Sequence, residues 1–231
     1  MKNHPLTTTG ILTLLLATTT LAGHAQQPVG YTFAGGGPDD PLWIRVAPTN
    51  LYSATTGYGY EPGADVRRKS SCSTSDRPFY FSVKEPEGNY KVTVVLGGDQ
   101  PATTTVKAEL RRLMLEKIHT APREFTTEVF IVNLRQPEIP GGNHVHLKPR
   151  ERSTEMWDWD DKLTLEFNGD HPSVSSLQIE KATVPTLFII GDSTVCDQPA
   201  APWNSWGQML PRFFKPVSAV ANHAESGETV A

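Results

Sequence analysis

The sequence predicts an all-β sandwich over residues 30–182, followed by the beginning of an α/β unit over residues 185–231. Three observations lead there. Short alternating runs separated by Pro, Gly, Asn and Asp fill the first part, and no long 3.6-residue pattern interrupts them. At Val184-Pro185 the texture changes to a continuous apolar run, Leu187-Phe188-Ile189-Ile190, which predicts a strand buried on both faces of a parallel sheet. An amphipathic stripe and a second short apolar run complete one β-α-β unit.

The sandwich strands are expected at residues 79–83, 90–96, 105–110, 125–134, 162–167 and 174–179, with Glu85-Pro86-Glu87-Gly88-Asn89 as a turn between the first two. Residues 110–118 have fair helix propensity but are read as strand. In the second part, Trp206, Met209, Leu210, Phe213 and Phe214 recur at three- and four-residue steps, the stripe of a core-facing helix. Pro211 lacks an N–H, so it should kink that helix or end it early. The second strand is expected at residues 217–221.

Residues 1–25 stand apart. Lys2 is the only charged side chain in them, Ile11-Leu12-Thr13-Leu14-Leu15-Leu16-Ala17 is apolar, and Gly23 and Ala25 flank His24 in a small-x-small cleavage pattern. This reads as a secretory signal peptide, with an apolar stretch too short for a membrane span. The expected location is therefore secreted or periplasmic, with no span left after cleavage. Loss of Lys2 takes the formal charge from −4 to −5. That sign, with no basic run, argues against nucleic acid or an anionic membrane as partner. Export permits a disulfide between Cys72 and Cys196, but sequence does not fix the Cα separation a bridge needs, and the expectation is two unpaired thiols, one in a loop and one packed beside the Ser193 turn.

Gly191-Asp192-Ser193-Thr194 follows the first apolar strand, where open α/β sheets place reactive loops. Gly191 allows a sharp turn, and Ser193 then leaves it with hydroxyl and N–H free to meet a carbonyl and its developing oxyanion. After the second strand comes Asn222-His223-Ala224-Glu225-Ser226-Gly227. Gly227 either offers a second oxyanion N–H beside Ser193 or merely opens a helix, and both roles are compatible.

These blocks, with Trp203-Asn204-Ser205-Trp206-Gly207-Gln208 between them, resemble the SGNH hydrolases, which have a flavodoxin-like α/β fold. Within that family they are similar to the rhamnogalacturonan acetylesterases. The resemblance covers about the last 45 residues and implies Ser193 as nucleophile and oxyanion amide, with Gly227 as a further oxyanion amide. It also implies acetylated plant cell-wall polysaccharide such as pectin as partner, with no cofactor and no metal. The upstream part is similar to the jelly-roll, galactose-binding-like domain that precedes such esterases. Leu51-Tyr52-Ser53, Gly57-Tyr58-Gly59-Tyr60, Pro86-Glu87-Gly88-Asn89-Tyr90, Arg111-Arg112-Leu113-Met114-Leu115 and Leu163-Thr164-Leu165-Glu166-Phe167-Asn168-Gly169 carry that similarity.

The departures are equally definite. The family's oxyanion asparagine in Gly-x-Asn-Asp and its Asp-x-x-His pair do not occur after Ser193 within these residues. A serine hydroxyl without a base is a poor nucleophile, and the family does not use the position of His223 as that base. The 231-residue chain is thus expected to be an inactive fragment of an esterase. A reading of another class is a secreted carbohydrate-binding or structural sandwich with a degenerate hydrolase remnant.

Other candidates have ordinary explanations beside the functional ones. His144 and His146 would share a strand face as metal ligands, but two without a third suit a polar face. Asp158, Asp160 and Asp161 among Trp157 and Trp159 fit a calcium site or sugar platform, and fit better an acidic loop with tucked aromatics. Tyr58 and Tyr60 allow the same two readings. Trp203 and Trp206 are expected to pack, Trp203 near the cleft rim.

Overall fold

The computed structural model describes residues 29–35, 41–63 and 65–228. The export segment read from residues 1–25 lies outside them. The chain runs through β1 (Val29–Thr32), β2 (Trp43–Arg45), β3 (Tyr58–Tyr60), β4 (Arg67–Arg68), β5 (Ser73–Thr74), β6 (Phe79–Lys84), β7 (Gly88–Gly97) and β8 (Ala102–Ala108). It continues through β9 (Arg112–Thr120), β10 (Phe125–Leu134), β11 (Glu138–Ile139), β12 (Asn143–His144), β13 (Lys162–Asp170) and β14 (Ser173–Lys181). Last come β15 (Thr186–Ile189), the short helix α1 (Trp206–Met209) and β16 (Ala219–Asn222).

Two sheets face each other. One has the order β10-β7-β14-β1-β2, with β5 attached to β14 and β4 to β5; the other has the order β3-β6-β13-β8-β9. All pairings within them are antiparallel except β1 with β2. Alternation explains the core. Tyr90, Val92, Val94 and Leu96 of β7 point inward at every second position, and Phe79, Phe81 and Val83 of β6 meet them from the other sheet. Phe81 stands edge-on to Phe33, with ring centroids 5.0 Å apart, and Phe79 stacks on Phe167 at 5.1 Å. The fold is a β-sandwich, as the alternating runs predict. Tyr60 and Tyr58 are packing residues, Tyr60 buried against Phe81 at 5.4 Å and Tyr58 against Tyr31 at the same distance.

Residues 110–118, read as strand, lie mostly in β9. The preceding strand sits earlier than expected, because β8 ends at Ala108 and a tight turn takes up Glu109, Leu110 and Arg111.

β15 pairs in parallel with β16, Ile189 opposite Asn222. The predicted burial of β15 on both faces is incorrect. Phe188 is 66% exposed and Ile190 65%, and Leu187 is exposed too. Among the described residues β15 has one strand neighbour, and of its apolar side chains only Ile189 joins a buried cluster, that of Val195, Cys196 and Ala224. The helix also turns a different face inward. It stops after four residues and tightens to a 3₁₀ turn, Leu210–Phe213, with Pro211 in its first turn as expected. Trp206, Phe213 and Phe214 are nevertheless exposed, whereas Gln208 and Pro211 are buried against the sandwich and Gly207 against Val195 and Ile189. Gly207 sets how closely the helix approaches the Val195 segment. A Cβ there would stand 2.2 Å from the Val195 carbonyl oxygen, so only glycine lets the helix approach. Trp203 is exposed as well, so neither tryptophan of this segment packs as expected.

Candidate active site

Beyond β15 the chain turns at Gly191, where a Cβ would meet Val195 Cγ2 at 2.6 Å. Asp192 then organises the turn. Its carbonyl accepts from the amides of Val195 and Cys196, each at 3.0 Å. Its Oδ1 accepts from the Thr194 amide at 2.9 Å and the Thr194 hydroxyl at 2.8 Å. These bonds, the backbone one foremost, hold the Asp192 carboxyl below the usual range. Ser193 lies exposed on this turn, and its carbonyl accepts from Gln198 Nε2 at 3.0 Å.

Beyond β16 the second loop runs alongside the first. The His223 amide donates to the Ile189 carbonyl at 2.8 Å, and the Glu225 amide to the Gly191 carbonyl at 3.0 Å. Ser193 and Gly227 are each two residues past that last bond. Gly227 is exposed at φ +82°, the left-handed region that favours glycine, and nothing lies within 4 Å of where its Cβ would be. Arg150 of the sandwich holds this loop by binding the Glu225 carboxylate and the Ser226 carbonyl, and Lys148 pairs with Glu228.

Beneath both loops lies a cluster that sequence reasoning missed. Arg112 Nη2 donates to Asp158 Oδ1 at 2.8 Å, and its Nε is 2.9 Å from Asp197 Oδ2. Arg135 Nη2 reaches Asp158 Oδ2 at 3.1 Å, and Asn222 Nδ2 reaches Asp197 Oδ1 at 2.8 Å. All five side chains are buried. Burial alone would raise the carboxyl of Asp158, but Arg135 and Arg112 outweigh it and hold it below the usual range. Burial and the adjacent Asp158 carboxylate push Asp197 up instead, against the pull of Arg112 and Arg135.

The remaining candidates take ordinary roles. Asp158 belongs to the buried cluster, Asp160 pairs with Lys162 at 3.5 Å, and Asp161 pairs with Lys84 at 2.9 Å. Trp159 lies under the Arg135 guanidinium at 4.3 Å, and Trp157 tilts on Tyr80 at 4.9 Å. His144 and His146 are exposed, and no group of three or more His, Cys, Asp or Glu among the described residues is placed to hold a metal. Cys72 and Cys196 are free and buried. His223 is exposed along one edge and touches the Phe188 ring at 5.7 Å, and the desolvation its neighbours impose, helped by Arg135 and Arg112, lowers its pKa to about 4.

A cleft of about 370 Å³ opens where the sandwich meets the loop after Ser193, lined by Tyr80, Arg111, Met156, Trp157 and Pro199. A larger one, of about 470 Å³, is formed by sandwich residues alone, among them Arg67, Asp76 and His171. Its charges answer one another, Arg67 and His171 both pairing with Asp76, at 2.6 and 3.0 Å. The junction cleft is the one beside the Ser193 loop. Among the described residues no helix is long and apolar enough to cross a membrane.

No protein-family model matches the chain. It is 24% identical over 224 residues to a Bacillus subtilis (strain 168) protein named uncharacterized esterase YxiM, taking in 88% of this chain and 53% of that protein. The X-ray structure of YxiM from Bacillus subtilis is similar with a TM-score of 0.48 at 24% identity, covering 87% of this chain and 56% of that one. A family 35 carbohydrate binding module from Clostridium thermocellum has a TM-score of 0.33 at 12% identity, covering 68% of this chain and all of the module. The chain spans about half the length of the curated relative it matches.

Proposed function

We propose that the chain is the front part of an exported serine carbohydrate esterase of the SGNH type, acting on acetylated plant-wall polysaccharide such as pectic rhamnogalacturonan. The observation that carries this reading is the bond from the Glu225 amide to the Gly191 carbonyl, which sets the Ser193 and Gly227 turns side by side beyond paired parallel strands. Ser193 Oγ attacks the acetyl carbonyl, and the amides of Ser193 and Gly227 take the negative oxygen. Losing one such donor typically costs about 100- to 1,000-fold in rate. The proton of Ser193 passes to a histidine held by an aspartate, neither of which residues 194–231 supply in the family's Asp-x-x-His form. No cofactor or metal enters. The name of the Bacillus relative supports an esterase. The junction cleft, with Trp157 and Tyr80 as apolar walls and Arg111 as donor, suits a sugar ring beside the ester.

Acetate release from acetylated rhamnogalacturonan tests this, using the chain extended through Gly-x-Asn-Asp and Asp-x-x-His segments. Turnover abolished by Ser193→Ala is the expected result, with the 231-residue chain silent. Turnover that survives Ser193→Ala, or none in the extended protein, overturns it.

A further inference from the structure

We infer that the β8–β9 turn of the sandwich is part of the serine site, with Arg112, acting through Asp197, positioning the backbone that carries Ser193. This rests on Ser193 as the nucleophile and adds to that reading a positioning device supplied by the other half of the molecule.

Four consecutive residues, the turn and the first residue of β9, are committed. Glu109 points into the sandwich, where its buried carboxylate accepts from the Thr164 amide at 2.9 Å. The Leu110 carbonyl accepts from Gln208 Nε2 at 2.9 Å. Arg111 Nη1 donates to the carbonyls of Gln198 at 3.1 Å and Trp203 at 3.2 Å. Arg112 forks between Asp158 and Asp197 and donates through Nη1 to the Asn133 carbonyl at 2.7 Å. Glu109 at φ +53° and Arg111 at φ +62° are left-handed without being glycine, a conformation that persists only where the surroundings over-determine it.

Every group these residues grip outside the sandwich lies in the segment that follows Ser193, and two chains of contacts lead from there, one to Val195 two residues past the serine and one to Ser193 itself. The first starts from the Arg112–Asp197 ion pair, a charge contact at 2.9 Å rather than a hydrogen bond, passes from Asp197 Oδ1 to Asn222 Nδ2, and reaches the Val195 carbonyl, which the same Nδ2 meets at 2.8 Å. The second runs from Arg111 to Gln198, whose side chain donates to the Ser193 carbonyl. Simple adhesion between the two parts does not need this. Buried charges are generally no better at holding surfaces together than apolar residues of the same volume, but removing one partner leaves the other uncompensated.

Amide hydrogen exchange on the 231-residue chain tests the inference with Arg112→Met, Asp197→Leu and the double variant. Each single change is expected to speed exchange at least tenfold in residues 191–198, whose Val195 and Cys196 amides close on Asp192. The amides of β7, β13 and β14 should stay protected. The double variant should be no faster than Arg112→Met, because Arg112 acts through Asp197. Should Arg112→Met fail to fold, Asp197→Leu carries the comparison alone. Unchanged exchange at 191–198, a uniform loss across the sandwich core, or multiplying effects in the double variant would each overturn it. In the extended enzyme, Asp197→Leu should lower kcat at least tenfold with KM within twofold, and an unchanged kcat counts against positioning. Exchange does not depend on chemistry at Ser193, so a catalytically silent Ser193 sinks the nucleophile reading and leaves the exchange result standing on its own.

Discussion

Asn222 and Asp197 are joined at 2.8 Å with both side chains buried, and the same Asn222 amide also reaches the Val195 carbonyl at 2.8 Å. The tip of β16 is thereby bolted to the chain just after Ser193.

Replacing Asn222 by leucine keeps the branched shape and removes three side-chain bonds, leaving the Ala224 amide and an Asp197 carboxylate oxygen unpaired while Ser205 Oγ still donates to the Val195 carbonyl. Each such group costs about 1–3 kcal/mol. Urea unfolding should show a loss of roughly 2–4 kcal/mol with an unchanged slope. A loss under about 0.5 kcal/mol, the level of an ordinary surface change, contradicts the buried role.

Gly207→Ala places a methyl 2.2 Å from the Val195 carbonyl oxygen. Backbone opposes it, so the helix must move away. A destabilisation of about 1–3 kcal/mol follows, within the range of overpacking, and a thermal melt reads it directly.

His223 has a pH signature. Its folded pKa of about 4 lies below the ordinary 6.5, so the native imidazole is neutral where the unfolded one is protonated. Between those values the unfolded state binds more protons, and stability rises with pH. Acidification from pH 6.5 to 4 should therefore weaken the fold, and below 4 this contribution changes no further. His223→Phe should flatten that stretch of the stability profile, and an NMR titration should find the His223 midpoint near 4.

Trp157→Ala bears on the junction cleft. If a sugar ring rests there, affinity of the chain for a pectic oligosaccharide should fall at least tenfold, or about 1.4 kcal/mol, by calorimetry. Equal affinity in the variant removes the cleft from the glycan path.

Much of the sandwich was legible because alternation reports burial directly. Strand β10 spans the residues its pattern gives, and β6, β7 and β14 differ from theirs by a few terminal residues. The Ser193 and Gly227 loops were legible as motifs at the ends of apolar runs. Exposure of Phe188 was not, because a continuous apolar run states what a strand favours and leaves open what covers it. The helix face was misread because the pattern weighs Trp206 and Phe213 by apolarity, whereas the buried residues are Gly207, Gln208 and Pro211. The buried cluster left no trace. Arg112 and Asp158 stand 46 residues apart, Asn222 and Asp197 25 apart, and no local spacing marks an arginine as the partner of a remote carboxylate.

The fork of Arg112 also bears on how such a protein can evolve. A sandwich whose innermost cation is neutralised partly by its neighbour's aspartate is no interchangeable cassette. Transplanted before another catalytic unit, or excised as a free-standing lectin-like module, it would carry a guanidinium shaped for a counter-ion left behind. Separated from its neighbour, Arg112 would keep Asp158 as its remaining ion-pair partner, a carboxylate that Arg135 already shares.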